Sequence, residues 1–142
     1  MQGMNFRLSA EPIEPATLAA ALRDPRAGAC ATFEGWVRNQ NDGRQVQALD
    51  YQAYTELAEK EAERILGEAR SRFPVLAAAC VHRIGSLALG DLAVWVGVTA
   101  AHRDPAFAAC RFIIDEIKAR LPIWKREHYA DGTTEWINCA VR

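Results

Sequence analysis

Little in this sequence announces a catalytic class. Its 142 residues hold four cysteines, Cys30, Cys80, Cys110 and Cys139, and no two stand at the spacing of a zinc knuckle or a redox CxxC pair. Each sits among apolar neighbours, which reads as buried thiols rather than a disulfide framework. The three histidines, His82, His102 and His128, are not at metal-ligand spacing either. The phosphate loop GxxxxGK(S/T), the dinucleotide GxGxxG, the GxSxG elbow and HExxH are all missing. Neither a metal nor a cofactor is therefore expected. No apolar run is long enough to span a membrane, and the opening MQGMNFRLSAEP lacks the core of a signal peptide. The expected compartment is the cytoplasm. With 17 basic and 18 acidic residues the net charge is −1, so nothing draws the whole molecule to nucleic acid or to an anionic membrane.

What is present is half hydrophobic, enough for one domain over residues 1–142 with a sizeable core. Asn5 to Ser9 reads as a strand and Pro15 to Leu22 as a short alanine-rich helix ended by Asp24-Pro25. Gly28 to Val37 is apolar enough for a central strand. The polar run Arg38 to Arg44 holds the Asn and Asp-Gly chemistry of a turn, and Val46 to Tyr54 alternates well enough to pair back as the other arm of a hairpin. Thr55 is the expected N-cap of a long helix whose inward stripe is Ala58, Ala62, Ile65, Ala69 and Phe73, with a charged, solvated outer face. Leu76 to Ile84 and Leu92 to Thr99 are strands, separated by a turn-rich link from Gly85 to Asp91. A last hairpin turns at Asp131-Gly132. The order β-α-β-β-α-β-β-α-β-β predicts an α+β fold, with a largely antiparallel sheet and three helices packed on it.

The chain is organised around Ala100 to Glu127. Asp104 and Pro105 read as the N-cap and first residue of a helix, and Phe107, Cys110, Ile114, Ile117 and Leu121 as its apolar stripe. At about 100° per residue, Lys118 falls on the shoulder of that stripe, where a cation can line a pocket while its stem packs. Pro122 stops the helix, and in the extended segment after it Lys125 and Glu127 share a face, opposite Trp124 and Arg126. Lysines crowded together disfavour one another's charge, which would leave one able to act as base or nucleophile. Arg103 directly follows His102 just before a helix N-terminus, where a phosphate would meet both a guanidinium and free amides. An ion pair with an acidic neighbour accounts for Arg103 equally well. Arg38 opens a loop after a core strand, a common place for a ligand contact and a commoner one for a solvated arginine. These residues by themselves describe a pocket for an anionic small molecule or a carboxylate terminus.

Four blocks carry a resemblance: Gly35-Trp36-Val37-Arg38-Asn39-Gln40-Asn41, His82-Arg83-Ile84-Gly85, Gly97-Val98-Thr99-Ala100-Ala101-His102-Arg103, and Lys118 through Pro122-Ile123-Trp124-Lys125-Arg126-Glu127. In this order they resemble the MoaE family, the large catalytic subunit of molybdopterin synthase, over about Asn5 to Trp136. The resemblance implies an α/β hammerhead fold and a sulfurtransferase. Its reaction would pass two sulfurs from the thiocarboxylated C-terminus of a small ubiquitin-like subunit to cyclic pyranopterin monophosphate, giving the dithiolene molybdopterin of molybdenum cofactor synthesis. It further implies a dimer of large subunits within a heterotetramer. Lys118 would lie at the tip of the inserted tail, Lys125 would hold the pterin and assist proton transfer, and Arg38, His102 and Arg103 would bind substrate, chiefly its phosphate. Arg126 and Glu127 would complete the wall near Lys125. The chain departs from the family at Ala100, where serine is frequent, and in its short end from Trp136 to Arg142, where family members often carry further basic residues and a contact from Arg142 is an open alternative. A non-catalytic module that captures a ubiquitin-like tail would not need both lysines. A nucleic-acid-binding domain would need more positive charge than the chain has.

Overall fold

The computed structural model describes residues 3–141, and within them the strands divide between two sheets. The first has the order β1-β5-β7-β2, built from β1 (Met4–Ser9), β5 (Val75–Arg83), β7 (Leu92–Ala100) and β2 (Ala29–Trp36). Only the β1–β5 pair is parallel in it. The second has the order β3-β4-β8-β9, from β3 (Gln40–Asn41), β4 (Arg44–Ala53), β8 (Ile123–Tyr129) and β9 (Thr134–Asn138), and β6 (Gly85–Ala88) also pairs with β4. This sheet is antiparallel throughout. The three α-helices are α1 (Pro15–Ala21), α2 (Thr55–Arg72) and α3 (Arg103–Arg120), and a 3₁₀ turn follows at Cys139–Val141. The α+β class with a largely antiparallel strand arrangement agrees with the sequence reading. Among the described residues no helix is long and apolar enough to cross a membrane. The contact considered for Arg142 lies outside the described residues.

The main core lies between the first sheet and the pair α2 and α3. On α2 the buried positions are Ala58, Ala62, Ile65, Leu66 and Ala69, at helical spacing. Three alanines in that stripe leave room for the helix to lie close to its neighbours. Cys80, Val96 and Val98 rise from the strands to meet it. A smaller core on the other face of the sheet joins Ile13, Leu22, Val81 and Trp95 beneath α1. β7 is therefore covered on both faces, which fits its unbroken apolar sequence.

Several local expectations shift. β4 does not pair back onto β2: only the two-residue β3 returns on β4, and β4 takes β8 as its long partner, with Tyr51 opposite Lys125 and Leu49 opposite Glu127. β2 instead pairs with β7 across the first sheet. Helix α3 begins at Arg103 with His102 as its N-cap, so Asp104 and Pro105 fall inside the first turn. Asp104 is still well placed there, because its carboxylate sits at the positive end of the helix. Phe107 is 63% exposed; the buried residues of α3 are Ala106, Ala109, Cys110, Ile113, Ile114 and Ile117. Thr55 is the first residue of α2 rather than its cap, a place taken by Tyr54 without a side-chain bond. The cysteines are unevenly placed: Cys80 and Cys110 are buried, Cys139 is half-buried and Cys30 is exposed.

The charged face of α2 is only partly a solvated one. Arg120 donates to Glu61 (2.7 Å), Glu68 (2.8 Å and 3.0 Å) and Glu116 (3.1 Å), a network that ties the end of α3 to the middle of α2. Asp50 on β4 performs a similar task in the second sheet. It accepts from Ser86 Oγ (2.6 Å), His128 Nε2 (2.7 Å) and Arg126 (3.0 Å), joining β4 to β6 and β8. The bonds from Ser86 and His128, followed by that from Arg126, outweigh partial burial and hold its carboxyl at about 2.

Candidate functional site

Where the two sheets meet the C-terminal end of α3, they leave a cavity of about 470 Å³, within the range of small-molecule sites. Three structural pieces supply its cations. Arg38 follows the end of β2, Lys118 stands in the last turn of α3, and Lys125 lies on β8. The path from Lys118 to Lys125 is short because Leu121 leaves the helix with extended dihedrals (φ −75°, ψ 137°) ahead of Pro122, and β8 starts at Ile123. Proline thus turns the chain from helix to strand so that two lysines seven positions apart face one space. Gln40, Asn41, Tyr51, His82, Asp115 and Cys139 share the lining.

Behind Lys125 stands a carboxylate with 2% of its surface exposed, Glu127. Its oxygens accept from Asn41 Nδ2 at 2.8 Å and 3.0 Å and from the Tyr129 hydroxyl at 3.0 Å, and Lys125 Nζ lies 3.5 Å from Oε2. Burial alone would raise its pKa; the bond from Asn41, the charge of Lys125 and the bond from Tyr129 reverse that and leave it below the usual value. Glu127 is thus a buried anion that sets the position of Lys125 and ties β3 to β8. Arg126 is on the other face of β8. Its guanidinium bonds Asp50 and stands 5.1 Å from the centre of the Trp136 ring, away from the cavity wall expected of it.

His82 ends the set. It is buried, it lines the cavity from β5, and its ring meets Tyr51 edge to face with centroids 4.8 Å apart. Burial first, helped by the charge of Lys118, pushes its pKa down to about 4 despite the bond to the Arg83 carbonyl. Burial likewise pushes the Tyr51 hydroxyl up, well past its ordinary range.

His82 and Asp50 together predict how acid acts on the fold. His82 drops from an ordinary 6.5 to about 4 on folding, so between those values the unfolded chain holds a proton that the folded one does not. Its contribution, about 3 kcal/mol, is complete above pH 6.5 and lost as pH falls towards 4. Asp50, lowered from 3.8 to about 2, contributes about 2 kcal/mol above pH 4 that is lost as pH falls through about 2. Urea titrations should show stability declining in both windows. Asp50→Asn should reduce the loss in the lower one, where Glu127, Glu61 and Glu68 also titrate below their ordinary values, while leaving the upper one unchanged. Stability that stays flat from pH 6.5 to 4 would contradict the neutral, buried state of His82.

The remaining expected site residues lie elsewhere. His102 and Arg103 are exposed at the opposite end of α3. Fifteen residues separate Arg103 from Lys118, about 22 Å along the helix. One chain therefore does not bring them onto the same small molecule as the lysines. Conversely, reading the residue chemistry alone missed Asn41, Tyr51, His82 and Asp115. Asn41 and His82 did stand within two of the four motif blocks, but nothing in the local pattern said that they would face one cavity.

Known proteins resemble this chain along most of its length. Residues 8–120 match the family model described as MoaE protein. The molybdopterin synthase catalytic subunit of Thermoplasma volcanium is 46% identical over 129 residues, covering 91% of this chain and 94% of that protein. The Escherichia coli protein of the same name is 47% identical over 110 residues, 78% of this chain and 73% of its own. Among solved structures, molybdopterin synthase from Staphylococcus aureus superposes with a TM-score of 0.86 at 34% identity, covering 92% of this chain and 95% of that one.

Proposed function

The chain belongs to the MoaE family and has that family's function, the catalytic subunit of molybdopterin synthase; from that premise we propose how its side chains divide the work. The substrate is cyclic pyranopterin monophosphate, which gains two sulfurs and becomes the dithiolene molybdopterin. Each sulfur arrives as a thiocarboxylate on the C-terminal tail of a small, ubiquitin-like partner subunit in the cytoplasm; as sulfur bonds to the pterin carbon its bond to the acyl carbon is broken by water, which leaves a carboxylate on that tail. The observation that carries this reading is the convergence of Lys118 and Lys125 on one cavity that also takes Arg38. A thiocarboxylate and a cyclic phosphate are both anions, and fixed cations stabilise charge that develops on sulfur or oxygen during transfer.

Lys118 meets the tip of the tail and assists departure of sulfur from the acyl carbon. Lys125, held by Glu127, orients the pterin and serves proton transfer at the carbon that accepts sulfur. Arg38 binds the phosphate end. His102 and Arg103, about 22 Å along α3 from Lys118, act on the phosphate in the cavity of the second large subunit of a dimer. Arg126 takes no substrate; it holds β8 to β4 through Asp50.

The shared site has a direct test. Lys118→Ala and Arg103→Ala are each made inactive, then mixed under conditions that let large subunits exchange. A mixed dimer carries one site with both residues intact, so activity should reappear on mixing. Mixtures no more active than their components would mean that Lys118 and Arg103 do not serve one site across two subunits.

A further inference from the structure

The cations explain how the cavity holds anions and leave open how it recognises the uncharged part of a substrate. His82 is placed for that. The Arg83 carbonyl lies 2.7 Å from its Nδ1 and can only accept, so Nδ1 carries the proton and donates. Nε2 of the neutral ring is then a lone-pair acceptor. The ring is buried, lines the cavity and is braced edge-on by Tyr51, so its orientation is fixed before anything binds. Arg38, Lys118 and Lys125 are donors without an acceptor atom, which makes an uncharged acceptor among them selective for a ligand N–H rather than for another anion.

We propose that His82 is a substrate-binding residue whose Nε2 accepts a hydrogen bond from a ring N–H or amino group of the heterocycle bound in this cavity. The inference rests on the pterin reading above and deepens it by assigning a contact to the uncharged heterocycle. A protonated imidazole could not serve, and its pKa of about 4 keeps the ring neutral at working pH. Burial makes the contact discriminating, since a ligand lacking that donor would cover the buried ring and leave Nε2 unpaired.

Nitrogen NMR of histidine-labelled wild-type protein tests this without relying on turnover. The expected spectrum shows His82 as the Nδ1–H tautomer, with the Nε2 resonance moving when cyclic pyranopterin monophosphate is added and not when inorganic phosphate is added. An Nε2–H tautomer would overturn the proposal, as would a ring unmoved by bound pterin. Calorimetry in the same samples separates the two readings: if the pterin does not bind at all, the assignment of the substrate fails, whereas binding with a silent His82 sinks only this contact. In turnover, His82→Asn keeps a donor for the Arg83 carbonyl but removes the distal acceptor, and should raise KM for the pterin about 10-fold with little change in kcat. His82→Gln, which can present a carbonyl near the position of Nε2, should recover part of the loss. An Asn variant with unchanged KM would contradict the assignment.

Discussion

Lys118→Ala should abolish turnover, by a factor of at least about 100 in kcat, while the chain still folds and still binds its small partner. The expectation follows from where Lys118 stands. It is an exposed residue of the last turn of α3 that lines the cavity and is not part of the core, so truncation removes a charge without opening a void. Loss of catalytic charge should therefore dominate over loss of stability. Lys118→Arg should not rescue fully, because a planar guanidinium cannot become a neutral nucleophile or base and places its donors differently. The check is a rate measurement beside a binding measurement on the same sample. An alanine variant with full activity would remove Lys118 from the mechanism, and one that no longer bound the partner would move its role from chemistry to assembly.

The second large effect concerns the fold. Gly97→Ala should destabilise the protein by about 3 kcal/mol, which for a chain of this size lowers Tm by roughly 10 °C. Gly97 lies in the middle of β7, paired with Thr32 on one side and Ala79 on the other. A Cβ there would press into the Trp95 indole, reaching its Cζ2 at 2.8 Å, and would come within 2.9 Å of Leu22 Cδ1. Trp95 is 1% exposed and packs with Leu22 beneath α1, so neither group has space to retreat. The backbone cannot yield easily either, since β7 is bonded on both edges. Thermal and urea unfolding would check this; a variant as stable as the parent would show that the small core under α1 is looser than the packing implies. Gly97 also opens one of the motif blocks of the sequence, and its packing gives that glycine a physical reason.

The difference between the legible and the hidden parts of this molecule follows the range of the interactions. Helices and most strands were readable because their signals are local: alanine and isoleucine at helical spacing on α2, the proline stop at Pro122, the Asp131-Gly132 turn. The hairpin between β2 and β4 failed because a turn sequence specifies that the chain reverses and not which strand it rejoins. The partner of β4 was decided by β8, more than seventy residues away, through pairs such as Tyr51 with Lys125. Phe107 was misplaced on α3 for a related reason. Its side chain outweighs alanine in any apolar pattern, yet the helix buries Ala106 and Ala109, whose small size allows close contact with the sheet. α3 starts two residues before the position read for it, since Asp104 is compatible with a cap and with the first turn alike.

The site divides in the same way. Lys118 and Lys125 were visible because a helix stop lies between them, and the face shared by Lys125 and Glu127 follows from strand alternation. That Glu127 would be buried was not visible. Its partner Asn41 lies 86 residues earlier in the sequence, and only the pairing of β3, β4 and β8 brings them together. The separation of His102 and Arg103 from the lysines was implicit in the helix read between them: all four lie within one stretch of 24 residues, but a helix of 18 residues holds their two groups apart, and it was the resemblance that put all four on one substrate.

The central claim, that these cations carry sulfur from a protein tail to a pterin, meets its most direct test in a single-turnover experiment followed by mass. This chain would be mixed with thiocarboxylated small subunit and cyclic pyranopterin monophosphate, then quenched, and both the pterin and the small subunit weighed. The expected result is a pterin product carrying two new sulfurs and a matching exchange of sulfur for oxygen at the small subunit's C-terminus. A stable complex in which the thiocarboxylate stays intact and the pterin gains no sulfur would contradict it, and would leave the cavity as a place that binds the tail without acting on it.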